Sequence, residues 1–163
     1  IERNNLKIKY IVNTHYHFDH TIGNEAMSKA TGAKIIQHRD STLKHDITVS
    51  NGDKIKFGNS QLTVFHTPGH SKDSICLVGN GKIFSGDTLF VGNCGRVDLP
   101  GGSARDLYHS LFDVISKMDD TLELYAGHNY GQSLISTIGK EKKTNFVLQP
   151  RTEYEFVKFM NSE

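Results

Sequence analysis

The sequence predicts an α/β protein, a layered sandwich with strands through the middle of the chain and helices flanking them around one core. Three features of the 163 residues point there. Strand, helix and strand signals follow one another near the start. A run of short apolar segments, separated by Asn-Gly, Gly-Asn and Pro-Gly, fills the middle. Helical segments with apolar residues on one face come after it.

In order, "LKIKYIVN" is rich in Ile, Val and Tyr and predicts a strand from Leu6 to Asn13. "TIGNEAMSKATG" places Ile22, Ala26, Met27 and Ala30 at helical spacing, with Gly32 as the C-cap. "AKIIQH" is the next strand, so residues 6–38 read as a βαβ-like unit. In the middle region, Asn51-Gly52 and Asn80-Gly81 predict tight hairpin turns, because both residue types tolerate positive φ. "SARDLYHSLFDVISKM" puts Leu107, Leu111, Val114, Ile115 and Met118 on one helical face behind an N-cap at Ser103. "TLELYA" predicts a strand. "STIGKEKKTN" predicts a helix interrupted or ended near Gly139, and "TEYEFVKFM" a last helix with Phe156, Val157 and Met160 inward.

Composition narrows the function. Hydrophobic residues make up 36% and charged residues 23%, enough for one soluble core and unlike a disordered chain. A net charge of +1 gives no field for nucleic acid or an acidic membrane. No apolar run of spanning length and no signal peptide is read in the text. Two cysteines, Cys76 and Cys94, make no disulfide framework and fit a reducing compartment, cytoplasm or mitochondrial matrix. A homo-oligomer is left open. The start at Ile1 leads us to expect that the segment belongs to a longer polypeptide of about 200 residues or more. There is no internal repeat or linker, so residues 1–163 are expected to form a single domain.

Chemistry concentrates in "NTHYHFDHTIG", where His15, His17, Asp19 and His20 fall within six positions. Four ligand-type residues so close together suit two adjacent metal positions better than one tetrahedron. Three more candidates stand where a strand gives way to small or turn-forming residues: His70 in "FHTPGHS", Asp87 in "FSGDTLF" and His128 in "LYAGHNYG". Imidazole with carboxylate suits Zn²⁺ or non-haem Fe²⁺ rather than a soft copper site. A lone histidine at a strand end is ordinarily structural; an ordered set of seven such groups is not.

These motifs, spanning residues 14–131, resemble the metallo-β-lactamase superfamily. The resemblance implies an αββα sandwich of two similar halves, here without the strands that precede "THYHFDH" in a complete member, so that the chain corresponds to about the C-terminal three quarters of the domain. It also implies that His15, His17 and His70 hold a first metal and Asp19, His20 and His128 a second, with Asp87 bridging. "GNCGRVDLPGGSARDLYHSLF" and "EFVKFM" are similar to the persulfide dioxygenases. That implies one Fe²⁺ on His15, His70 and Asp87, oxidising a low-molecular-weight thiol persulfide such as glutathione persulfide to sulfite. "GHNY" and "STIGKEKKTN" resemble glyoxalase II and its compact homologues. They imply instead a thioester hydrolase with two Zn²⁺ or mixed Zn/Fe ions, in which Asp19 helps to position the hydroxide. A non-catalytic metal-binding module is the minor alternative. Tyr130 matches the family's glutathione-contacting tyrosine, whereas Val147 stands where the dioxygenases carry a thiol-binding arginine.

Other residues divide between function and structure. Arg96 orients a substrate carboxylate or its own loop, or pairs with Asp98. Lys143, with Lys140 and Lys142, meets a tripeptide thiol at the mouth of the site or forms a solvated face. Cys94 reads as a small buried filler before it reads as a persulfide-reactive thiol, and Cys76 as core. Thr67 and Asp73 are candidates to orient the His70 ring. His38, His45, His66 and His109 read as structural or exposed.

Overall fold

The computed structural model describes residues 6–131 and 133–162. β1 (Tyr10–Val12) pairs in parallel with β2 (Lys34–His38), and β2 in parallel with β3 (Ile47–Val49). A second sheet of six strands has the order β11-β10-β7-β6-β5-β4. It comprises β4 (Lys54–Phe57), β5 (Ser60–His66), β6 (Ile75–Gly79), β7 (Lys82–Gly86), β10 (Glu123–Ala126) and β11 (Ser136–Thr137). A small hairpin of β8 (Leu89–Phe90) and β9 (Asn93–Cys94) stands at the end of β7.

β6 shows why this is a layered fold. Ile75 and Leu77 face a cluster with Ile36, Val49, Ile55 and Val64, between the two sheets. Cys76 and Val78 point the other way, into the cluster between the large sheet and the C-terminal helices. The two-residue period of a strand thus feeds two cores from one segment. Helices α1 (Phe18–Thr21) and α2 (Asn24–Thr31) follow β1. The other outer layer is α3 (Ala104–His109), α4 (Ile138–Thr144) and α5 (Glu153–Met160). The result is the αββα sandwich expected.

The structure corrects several boundaries. β1 covers only Tyr10–Val12 of the expected Leu6–Asn13, because its one partner strand among the described residues begins at Lys34, opposite Tyr10. α2 ends at Gly32 as expected, but Ile22 and Met27 are exposed and Asn24 is the buried residue. Asn24 exchanges amide hydrogen bonds with Asn13, so a polar contact, rather than the apolar stripe, chooses the inward face. Asn80-Gly81 is the expected hairpin turn, with both φ values positive. Asn51-Gly52 instead carries the chain from one sheet to the other, and the β4–β5 hairpin closes at Gly58-Asn59. Gly139 does not end a helix; it is buried within α4, where a Cβ would lie 2.8 Å from the Asp120 side chain.

After Ser103 caps α3 by accepting from the Asp106 N–H, the chain widens into a π-helical turn at Ser110–Val114 and tightens into a 3₁₀ turn at Ile115–Lys117. Leu107, Leu111 and Ile115 are all fully buried. At four-residue spacing an α-helix would rotate each of them by ~40° past the last, and the wider turn takes up that drift.

α3 is tied to α5 on the surface. Arg105 Nε lies 2.7 Å from Glu153, and His109 lies 2.7 Å from Asp113 and 3.2 Å from Glu153. The Asp113 hydrogen bond, helped by Glu153, raises the His109 pKa above 6.5. The stabilisation from a raised histidine is complete below the unfolded value and lost as pH rises through the folded one. His109 is half exposed, so the contribution is small, about 0.5 kcal/mol. Urea unfolding at roughly pH 6 and pH 8.5 is therefore expected to show wild type losing that margin over His109→Gln on going to the higher pH.

Candidate metal centre

Local folding brings six of the seven candidate ligands into two groups of three, and the seventh, Asp87, joins them in a third group with His15 and His20. His15 and His17 lie on the turn after β1, Asp19 and His20 on α1. His70 follows β5, Asp87 follows β7 and His128 follows β10. The donor atoms of His15, His17 and His70 all lie within 4.8 Å of one another; so do those of Asp19, His20 and His128, and those of His15, His20 and Asp87. Asp87 Oδ2 is 3.6 Å from His70 Nε2 and 3.3 Å from His128 Nε2, while its Oδ1 is 3.4 Å from His20 Nε2.

These separations fit an ion. Bonds of about 2.0–2.2 Å place neighbouring ligand atoms about 2.8–3.1 Å apart in octahedral and about 3.3–3.6 Å apart in tetrahedral geometry. His17 Nδ1 to His70 Nε2 is 2.9 Å and His20 Nε2 to His128 Nε2 is 3.1 Å. The His15, His17 and His70 rings stand nearly perpendicular to one another in the pairs His15–His17, His15–His70 and His17–His70, as rings converging on a point do. His15 Nε2 and Asp87 Oδ1 are buried with no hydrogen-bond partner; His20 approaches Asp87 as a charge contact, not as an aligned bond. Buried polar atoms are seldom left so unless something else satisfies them. The donor set therefore fits a divalent transition-metal ion.

The surroundings set each ligand's state. Burial, and then the neighbouring His20, pushes His15 down to about 3, so its ring is neutral and its lone pair available. His17 is also lowered, by burial and by His70. Asp87 holds His20 above its ordinary value. Burial alone would push Asp87 up, but His20 and the other imidazoles outweigh it and hold the carboxyl below the usual range.

The rings are fixed from behind. The Arg96 carbonyl lies 2.8 Å from His70 Nδ1 and accepts its proton, which leaves Nε2 facing the cluster. Thr14 Oγ1 is 3.2 Å from His15 Nδ1 in the same role. Tyr16 donates to the Pro100 carbonyl at 2.6 Å and ties the histidine turn to the glycine-rich loop. Asn13, buried, donates to the His20 carbonyl and accepts from Gln37. Thr67 and Asp73, the two candidates for orienting the His70 ring, bond elsewhere: Thr67 to Thr88, and Asp73 to Ser71. The backbone carbonyl that does orient His70 leaves no mark in a side-chain pattern. A subtler sequence signal was the glycine spacing. A Cβ at Gly127 would lie 2.3 Å from Asp87 Oδ1, and one at Gly95 2.0 Å from the Asp87 carbonyl and 2.9 Å from His70 Nδ1.

A pocket of about 370 Å³ opens over the cluster, walled by Phe18, Phe90, Leu99 and Tyr130. Tyr130 is 70% exposed and stacks on His128 with ring centres 5.2 Å apart. The Arg96 side chain lies at the rim and pairs with Asp98. Lys143 is exposed on α4; it is Lys140 that lines the adjoining groove beside Tyr130, and Lys142 pairs with Asp120. Val147 is fully buried in the core. Cys94 is buried with its sulfur 4.0 Å from Met160 Sδ, and burial pushes the Cys76 thiol up to about 11.

One further group, His38, Asp40 and His66, bridges the two sheets. Its imidazoles are stacked, 4.0 Å apart and 17° from parallel, so their in-plane lone pairs do not meet at one point. His66 Nε2 is also engaged with the Lys72 carbonyl at 2.8 Å. This arrangement is a structural bolt, in keeping with the expectation for both histidines.

Among the described residues, no helix is long and apolar enough to cross a membrane.

The family model described as the metallo-beta-lactamase superfamily matches residues 1–42 and 36–128. The mouse (Mus musculus) protein named persulfide dioxygenase ETHE1, mitochondrial, is 34% identical over 160 residues, which cover 96% of this chain and 63% of that protein. A hydroxyacylglutathione hydrolase from Maricaulis maris is 38% identical over 133 residues, covering 77% of this chain and 50% of the hydrolase. The chain thus spans less than two thirds of the length of either relative. The crystal structure of ETHE1 from Myxococcus xanthus superposes with a TM-score of 0.93 at 30% identity, covering 98% of this chain and 71% of that one.

Proposed function

The chain belongs to the metallo-β-lactamase superfamily, and we propose that within it the chain carries the metal centre of a persulfide dioxygenase acting on a low-molecular-weight thiol persulfide. The observation that carries this choice is the extent of the likeness: 96% of the chain aligns with the mouse dioxygenase, against 77% with the hydrolase. In this reading His15, His70 and Asp87 hold one iron(II), and the overall change is RSSH + O₂ + H₂O → RSH + SO₃²⁻ + 2H⁺. Iron(II) at that triad would supply the one-electron chemistry that lets a closed-shell persulfide react with dioxygen, whereas two zinc or mixed ions across both groups would supply an activated water for thioester hydrolysis.

The chain's own residues supply orientation. The Arg96 carbonyl and Thr14 hydroxyl keep His70 and His15 turned inward. Phe90 and Tyr130 form the side wall against which the substrate's sulfur end would lie, and Tyr130 is exposed enough to meet its carrier. Arg96 is paired with Asp98, so its guanidinium shapes the rim unless a substrate carboxylate displaces that partner. With Val147 buried, no basic side chain reaches out from that position, and the thiol carrier need not be glutathione.

The second reading, a thioester hydrolase of the glyoxalase II kind, is favoured by one specific observation: Asp19, His20 and His128 converge as a group of their own. Metal content and an oxygen electrode separate the two. Dioxygenase chemistry is expected to show about one iron per chain and persulfide-driven oxygen uptake. Two metals per chain, no uptake from iron-loaded protein and rapid cleavage of an acyl-thioester would establish the hydrolase instead.

A further inference from the structure

Behind the pocket wall lies a buried polar network with no direct place in the chemistry above. Glu141, on α4, is 1% exposed and meets donors from three segments: the Gly92 N–H at 2.8 Å, Asn145 Nδ2 at 2.9 Å and the Ser136 hydroxyl. Asn145, fully buried one turn later, also donates from Nδ2 toward the carbonyls of Phe90 at 3.2 Å and Asn93 at 3.1 Å, and its Oδ1 accepts from the Val147 N–H. The Gly92, Phe90 and Asn93 contacts land on the β8–β9 hairpin, the Val147 contact on the 3₁₀ turn Phe146–Leu148 that continues from α4, and the Ser136 contact on β11.

The β8–β9 turn carries Phe90. Its ring stands edge-on to His128 at 6.0 Å and to Tyr130 at 5.3 Å. A two-residue-per-strand hairpin has too little ladder to hold itself. Two buried polar side chains, both fully engaged, specify its position in a way that apolar packing, indifferent to small slides, does not. Neither side chain lines the pocket over the histidines.

We propose that Glu141 and Asn145 are positioning residues of the metal centre: by bolting the β8–β9 turn to α4 they hold Phe90, and through it the orientations of His128 and Tyr130. Only the kinetic arm of the test rests on the function proposed above.

Glu141→Gln and Asn145→Asp keep shape but reverse one contact, turning an NH₂ toward donors or a carboxylate toward carbonyls. Ser136→Ala removes a single donor and serves as the milder variant if either fails to fold; Ile55→Val, in the other core cluster, controls for general loosening. Hydrogen exchange needs neither metal nor substrate, and amides 90–94 are expected to exchange at least about fivefold faster in the network variants than in Ile55→Val. In zinc-loaded protein with ¹⁵N-labelled histidine, the His128 imidazole signal should move while those of His15 and His70 stay. With whichever substrate turns over, KM should rise about tenfold with kcat within about twofold and metal content unchanged. Exchange no faster than in the control, or an unmoved His128 signal, would show that the network is only structural. An inactive wild type that still passes the exchange and histidine arms would sink the proposed reaction and leave this inference standing.

Discussion

Asp87→Asn is expected to lower turnover by at least about 10³-fold and metal affinity by at least about 100-fold, while the apo protein stays folded. Among the described residues, Asp87 is the carboxylate buried between the candidate ligand imidazoles, with His70 and His128 near one oxygen and His20 near the other. Asparagine preserves its volume but removes the negative charge that would offset an ion's charge in a buried site. Neither apolar cluster includes Asp87, so the core has no reason to fail. Circular dichroism and metal analysis on the same sample check both halves. A variant that keeps its metal and more than about a tenth of its rate would contradict the assignment.

The second large effect needs no change to a ligand. Gly127→Ala adds a methyl group 2.3 Å from Asp87 Oδ1, inside any permitted contact, and 3.0 Å from His20 Cε1, a tight one. The φ of Gly127 is not positive, so the backbone accepts alanine; the most severe conflict falls on Asp87, with His20 and the Gly86 carbonyl carbon, 3.1 Å away, also crowded. Overpacking of this kind costs about 1–3 kcal/mol, which is expected to appear as a metal affinity lowered about 10- to 100-fold, with a comparable loss of rate. Gly23→Ala is the matched control, since its Cβ meets nothing within 4 Å. Calorimetric titration of both variants with one divalent ion would decide: equal affinities would mean that the ion lies away from Asp87.

Much of this was legible in the text, for definite reasons. Strand-to-turn transitions at "FHTPGHS", "FSGDTLF" and "LYAGHNYG" put His70, Asp87 and His128 at sheet ends, and the parallel and antiparallel pairings bring those ends together. The final helix is where "TEYEFVKFM" puts it, with Thr152 and Glu155 forming a capping box. What the text withheld were contacts made by groups that carry no signature. The carbonyl of Arg96 orients His70, while its guanidinium, the group visible in the text, pairs with Asp98. Asn13 and Asn24 reverse the face of α2, because a mutual amide pair outweighs an apolar stripe only once the tertiary fold brings them together. Glu141 lies in a stretch whose lysines dominate its text, and its burial follows only from the packing of α4.

The most direct test is diffraction from crystals grown with iron(II) under anaerobic conditions, with anomalous data collected at the iron edge. The expected result is a peak within about 2.0–2.2 Å of His15, His70 and Asp87 donor atoms, at about unit occupancy. A map with no peak among these side chains, or with metal bound only elsewhere on the molecule, would contradict the claim that they form the metal centre.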